Sequence, residues 1–279
     1  MIPFIKSKSK AEAKCHFIHA NGFHPLAYKS LFDELADKID INSMLLRPYW
    51  QKNRNIEGFQ SWTTFLEDFQ IYAKEQDINK SYGIGHSVGG NIILRAAISD
   101  SKLFKSIVLL DPTIFTPSIV FIWRMLSHFP KLHSQFPLAR SARNRRKSFP
   151  EKEDIFSSYR KKTIFKKISD TQLHEYIDSI FYYNDKDKSF NLNFSRRWEE
   201  QIFLKSLYDD MLIWNNLDKL NTPTLILRPD SKPVFRDGAA KNISKNKNIT
   251  IITIKNSTHL FPIEKHLETS QLIKRFILK

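Results

Sequence analysis

Short apolar runs alternate along most of the chain with longer stretches whose apolar residues recur every three or four positions. This alternation predicts a mostly parallel sheet covered by helices. Cys15-His16-Phe17-Ile18 reads as a strand ending in the turn His19-Ala20-Asn21-Gly22-Phe23-His24-Pro25. A helix is expected over about 26–39, with Leu31, Phe32, Leu35 and Ile39 on one face. Residues 43–46 read as the next strand and 62–73 as the next helix. Residues 81–84 follow as a strand with a helix over 91–97, and 106–110 as a strand running into Asp111-Pro112. From about Thr113 to Leu220 the alternation gives way to aromatic-rich amphipathic helical stretches mixed with basic runs. Strand signals resume at 222–228 and 249–254, and a last helix is expected over about 264–278. The pattern therefore divides the chain into an α/β core, residues 1–112 and 221–279, and a helical cap, 113–220, inserted into it.

The chemistry concentrates where the strand at 81–84 gives way to its helix. Gly85-His86-Ser87-Val88-Gly89-Gly90 occupies that junction, and four of the seven glycines, Gly83, Gly85, Gly89 and Gly90, crowd it. Gly-x-Ser-x-Gly between a strand and a helix is the pattern of a nucleophile elbow, a sharp turn that pushes the serine hydroxyl outward. The bland alternative is an ordinary glycine-rich loop, which the correct flanks disfavour.

A serine hydroxyl needs a base to take its proton and an acidic group to orient that base. Among nine histidines His259 fits best, because it follows the last strand in a loop, Lys255 to Pro262, able to swing over Ser87. For the acid two aspartates compete. Asp230 follows the penultimate strand, where the usual order of serine, acid, histidine places it, and Asp111 follows the strand after the elbow. Either could instead cap a turn through the backbone. An oxyanion hole requires two backbone N–H groups. One is expected from Val88, and the other from the turn after the first core strand, with Asn21 the first choice and Phe23 the second.

Composition narrows the classes. The formal charge of +15 invites nucleic acid or anionic lipid as a partner, yet no zinc-finger spacing or RNA-binding signature accompanies it, so nucleic-acid binding is not expected. A single cysteine, Cys15, excludes an internal disulfide and reads as a small buried hydrophobe. The N-terminal Met1 to Lys10 lacks the apolar core of a signal peptide, and no apolar run approaches the ~20 residues of a membrane span. A soluble, cytoplasmic protein is expected. Nothing in the sequence fixes its oligomeric state.

The serine elbow, the His19-Ala20-Asn21-Gly22-Phe23 turn and the terminal histidine loop occur in the order found in the α/β-hydrolase superfamily, which the chain resembles over nearly its full length. The resemblance implies an α/β-hydrolase fold: a mostly parallel eight-stranded sheet, a helical cap inserted after the strand that follows the elbow, an acyl-serine intermediate, and no cofactor or metal. One departure bears on the acid. Relatives place it three or four residues beyond a glycine after the penultimate strand, positions held here by Lys232 and Pro233, with Pro229 at the glycine. Asp230 comes early by that comparison, and some members carry the acid where Asp111 lies.

The expected activity is hydrolysis of a small ester, with carboxylesterase, lipase or thioesterase character. The alternatives are amide or carbon–carbon bond hydrolysis by the same triad, or a noncatalytic binding protein on the same scaffold. The apolar stretch from Ile114 to Phe129 is read as lining an acyl pocket or packing the cap. The basic runs after Arg140 and Arg160 are read as solvated faces or a weak dock for anionic lipid or an acidic carrier. Trp198-Glu199-Glu200 is a weak candidate for holding a substrate amine.

Overall fold

The computed structural model describes residues 1–7, 9–50 and 56–279. The N-terminal stretch read for a leader includes Lys8, which lies outside them. Ten strands are seen among the described residues: β1 (Phe4–Lys6), β2 (Ala13–Ile18), β3 (Ile39–Met44), β4 (Ser81–His86), β5 (Phe104–Leu110), β6 (Ser148–Phe149), β7 (Phe181–Asn184), β8 (Ser189–Leu192), β9 (Thr224–Pro229) and β10 (Ile249–Ile254). Seven form the central sheet in the order β1-β3-β2-β4-β5-β9-β10, one fewer than expected. Every pairing is parallel except β1 with β3. Central strands of such a sheet are covered on both faces, which is why Ile84, Ile107, Val108, Leu109 and Leu110 are all buried with no polar face between them. Two apolar clusters result, one on each face of the sheet.

Strand order reverses between β2 and β4, so the loops that follow these strands open a crevice at their C-terminal ends. Adjacency does the rest. The turn after β2, the elbow after β4, Asp111 after β5, Asp230 after β9 and His259 beyond β10 all emerge at one edge of the sheet.

Two boundaries differ from the sequence reading for identifiable reasons. Ile39 was expected on a helix face, yet the 3₁₀ turn Pro25–Tyr28 and the helix Lys29–Leu35 end before it, and Ile39 opens β3. Its spacing from Leu35 mimics a helical repeat, but Ile39 and Ile41 share one strand face while Asp40, buried between them, pairs with Lys14 at 2.8 Å. The segment between β5 and β9 is also not wholly helical. Its helices accompany a three-stranded antiparallel sheet in the order β6-β8-β7, whose strands of two to four residues are too short for a two-residue alternation to stand out.

That segment is anchored to the helix behind the elbow by buried charge. Asp210 accepts from Asn91 Nδ2 and Arg95 Nη2, each at 2.9 Å, and Asn91 Nδ2 also donates to the Thr113 carbonyl at 2.7 Å. Burial pushes the Asp210 carboxyl up, against the pull of Arg95. Removing either partner would leave the other charge buried and unpaired.

Candidate active site

Ser87 sits at φ 56° and ψ −116°, a region that residues with a Cβ rarely occupy, between the last residue of β4 and the first of the helix Val88–Ser99. The neighbouring glycines are needed for close approach. A Cβ on Gly85 would lie 2.3 Å from the Gly89 carbonyl oxygen, and one on Gly89 would lie 2.0 Å from that of Ile18. The elbow is tied to β5 and to the turn that follows it: Ser87 N donates to Leu110 O and Thr113 N donates to Ser87 O, each at 3.0 Å. In this structure Ser87 Oγ hydrogen bonds with Thr113 Oγ1 at 3.2 Å, a contact the sequence reading did not anticipate.

His259 and Asp111 meet, with Nδ1 2.6 Å from Oδ2. Asp111 is fully buried, and its carboxylate also accepts the N–H groups of Val234 (3.0 Å) and Phe235 (2.9 Å). With Nδ1 donating to Asp111, the imidazole presents Nε2 as its free lone pair. Asp230 lies elsewhere. It is exposed and accepts the N–H groups of Asn256 (2.8 Å) and Ser257 (3.0 Å), bonds that hold its carboxyl below the usual range. The penultimate-strand aspartate thus braces the histidine loop through its backbone and has no bond to the imidazole. Glu264 braces the same loop, accepting from Thr258 N and, at 2.9 Å, from Thr258 Oγ1.

The turn expected to supply an oxyanion amide is itself pinned. His19 Nε2 accepts from Leu46 N at 3.1 Å, so the proton resides on Nδ1 and is donated to Ala20 O at 2.9 Å. Phe23 N, the second choice for the hole, donates to Ala20 O at 3.2 Å and is occupied. Asn21 N has no acceptor among the described residues. Val88 opens its helix, where an N–H has no intrahelical partner.

His86, one residue before Ser87, links these loops. Its Nε2 lies 3.0 Å from the His259 carbonyl oxygen, which can only accept, so Nε2 carries the proton. Nδ1 must then accept from Tyr28 OH at 2.7 Å, and the Tyr28 oxygen accepts Ala20 N–H at 3.2 Å. Burial holds His86 well below the ordinary histidine value, with the nearby His259 charge adding to the effect. His86→Leu strands the Tyr28 hydroxyl and the His259 carbonyl, and is expected to cost about 2–4 kcal/mol in urea unfolding. A loss below about 0.5 kcal/mol would remove the chain's structural importance.

The inserted segment grips the same turn. Asn21 Nδ2 donates to Glu199 O at 3.0 Å and Tyr176 OH donates to Gly22 O at 3.2 Å. Glu199 is buried and ion-paired with Arg145 Nη2 at 2.5 Å, while Arg145 Nη1 donates to Tyr159 OH (3.0 Å) and Tyr176 OH (3.1 Å). Two expectations change. Arg145 is not part of a solvated basic face, and the Glu199 carboxylate is already neutralised by a guanidinium, while Glu200 pairs with Arg143 at 3.4 Å. The pair offers a substrate amine no net charge.

Buried neutral histidines give the region a pH signature. Burial lowers His16 to about 4 and His19 to about 3. Above about pH 6.5 both are neutral folded or unfolded and contribute no pH dependence. As the pH falls below that, only the unfolded chain takes up these protons, and stability is lost down to the folded values. Each should cost roughly 3 kcal/mol by pH 4. Urea midpoints are expected to fall steeply between pH 6.5 and 4; a flat profile would contradict it.

A parallel sheet with its order reversed at a strained serine elbow, and a histidine–aspartate pair at the same edge, defines an α/β scaffold of the hydrolase class. A model of the alpha/beta hydrolase family matches residues 17–271, and the chain belongs to that family. It is 31% identical over 111 residues to a type I acyl-CoA thioesterase of Penicillium brevicompactum, covering 34% of this chain and 25% of that one. It is 28% identical over 118 residues to an uncharacterized hydrolase of Bacillus subtilis strain 168, covering 38% and 39%. The chain thus aligns with between a quarter and two fifths of the length of these relatives. Among solved structures, E-2-(acetamidomethylene)succinate hydrolase is similar with a TM-score of 0.79 at 15% identity, covering 99% of this chain and all of that one. The thioesterase domain from the curacin biosynthetic pathway is also similar, with a TM-score of 0.74 at 16% identity, covering 99% and 94%. At these identities the likeness concerns the fold. Among the described residues no helix is long and apolar enough to cross a membrane.

Proposed function

We propose that the protein is a serine hydrolase of small carboxylic esters and thioesters, working through an acyl-serine intermediate. The observation that carries this reading is the 2.6 Å bond between His259 Nδ1 and the buried Asp111, set at the same sheet edge as the elbow serine. In this mechanism the Ser87 hydroxyl leaves Thr113 for His259 Nε2, which takes the proton as Oγ attacks the acyl carbon. Asp111 holds the imidazole in the required tautomer and stabilises the imidazolium. The amides of Asn21 and Val88 receive the negative charge developing on the carbonyl oxygen, each donor worth about 3–4 kcal/mol. His259 then protonates the leaving alkoxide or thiolate. Water, deprotonated by His259, releases the acid. Residues 113–220 act as the cap over this site, fixed to the oxyanion turn through Glu199 and Tyr176.

Thioesters are included because a curated relative is named as an acyl-CoA thioesterase and a similar solved structure is a thioesterase domain. The test is intact-protein mass spectrometry after treatment with a fluorophosphonate, followed by a matched panel of ester, thioester and amide. One adduct per chain, mapped to Ser87, with ester and thioester turned over faster than amide, is the expected result. Preferential cleavage of amide or carbon–carbon bonds would change the substrate class. An inert, folded protein would favour a binding role on this scaffold.

A further inference from the structure

The helix Pro117–Ser127 begins four residues beyond Thr113 and is apolar on two opposite faces. Its inner face, Val120 and Trp123, is buried, and Trp123 Nε1 donates to Leu204 O at 3.3 Å. Its outer face carries Phe121, Ile122 and Met125, at the i, i+1 and i+4 positions that share one side of a helix. Phe121 is 66% exposed and Ile122 57%. The ridge continues through Phe129 (61%) and Leu132 (59%) in the short helical turn Pro130–His133. A soluble surface helix is ordinarily polar on the side away from the core, and a contiguous run of large exposed apolar side chains marks a surface with a partner.

Charge identifies the partner. Between Thr113 and Pro150 the chain contains no Asp or Glu, and three exposed cations, Arg124 and Lys131 on the two elements that carry the ridge and Arg140 on the following helix Pro137–Arg143, make no ion pair among the described residues. A second copy would oppose these cations with its own, on a chain of formal charge +15. The ridge is built from helical turns whose backbone N–H groups bond within the turns, as Val120 N to Thr116 O, Phe129 N to Leu126 O and His133 N to Phe129 O do, so it offers a partner chain no strand edge to pair with. Such a surface can enter the boundary between headgroups and acyl chains, with its cations left among anionic headgroups.

We infer that the ridge Phe121, Ile122, Met125, Phe129 and Leu132, with Arg124, Lys131 and Arg140, docks the protein on an anionic phospholipid surface. The inference concerns a surface distinct from the hydrolytic site and does not rest on the role proposed for Ser87. If both hold, docking would bring the hydrolase to the lipid boundary, where acyl substrates partition.

The test is co-sedimentation of the full chain with phosphatidylcholine vesicles, with and without phosphatidylglycerol, at low and high salt. Binding is expected to require phosphatidylglycerol and to weaken with salt. Each Lys or Arg near such a surface contributes roughly fivefold to partitioning, so Arg124→Glu with Lys131→Glu should lower it at least about 25-fold. Phe121→Ser with Ile122→Ser and Phe129→Ser should abolish it. These positions are exposed, and unchanged circular dichroism and fluorophosphonate labelling would show that both variants retain the fold and site. Equal binding to both kinds of vesicle, no binding, or binding unchanged in both variants would overturn the inference. So would a wild-type dimer in sedimentation velocity that the serine variant dissociates, because the ridge would then belong to a second copy of the chain.

Discussion

Ser87→Ala is expected to abolish fluorophosphonate labelling and to lower kcat for an activated ester by about 10⁵- to 10⁶-fold. The size follows from the chemistry, because without Oγ there is no covalent route and His259 has no hydroxyl to activate. What survives would be slow attack by water on a carbonyl held by the Asn21 and Val88 amides, so the residual rate should still exceed the uncatalysed one. Stability should change little, because alanine keeps the Cβ that makes φ 56° unfavourable. Ser87→Gly removes that strain as well as the nucleophile, and should unfold at higher urea than Ser87→Ala. Ester turnover within about tenfold of wild type in Ser87→Ala would eliminate the acyl-serine mechanism.

The elbow was legible because its constraints are local. Gly85 and Gly89 are needed where the helix crosses carbonyl oxygens with no room for a Cβ, and that need appears in the sequence as a cluster of glycines between a strand and a helix. The partner acid was not legible in the same way. Asp111 and Asp230 both end parallel strands, and local pattern cannot say which carboxylate meets an imidazole and which meets two backbone amides. The displaced Asp230 was a clue, but only β5 and the 234–235 backbone, assembled in three dimensions, bury Asp111 beneath His259.

Other features were hidden because their partners are far apart in sequence. Tyr28, His86 and His259 form a directed chain of hydrogen bonds spanning three loops, and no spacing rule announces it. Arg145 looked like one of several solvated cations until Glu199 and two tyrosines surrounded it. The ridge at 121–132 shows the reverse case: its hydrophobicity was plain, but whether it faced the core, a pocket or solvent depended on how the helix is rotated against Leu204 and its neighbours.

Asp111→Asn should lower kcat/KM for the same ester by about 10⁴-fold, whereas Asp230→Asn should keep it within about tenfold of wild type. In the proposed mechanism Asp111 holds the proton of His259 on Nδ1 so that Nε2 is free for Ser87. Both Asp111 oxygens now accept hydrogen bonds, from two backbone amides and from Nδ1. An asparagine has one acceptor oxygen, and the backbone N–H groups of Val234 and Phe235, which can only donate, compete for it. The amide nitrogen is then left toward His259 Nδ1, favouring the tautomer with its proton on Nε2, the wrong end for a base. The loss should therefore fall on kcat with KM little changed, and fluorophosphonate labelling should slow by a similar factor. Asp230→Asn also loses one of two amide acceptors, but at an exposed loop and without touching the imidazole, so its effect should appear in the thermal stability of the 255–262 loop rather than in the proton shuttle. The reverse ranking, with Asp230→Asn the more damaging to turnover, would mean that the histidine loop rearranges during catalysis and exchanges one aspartate for the other.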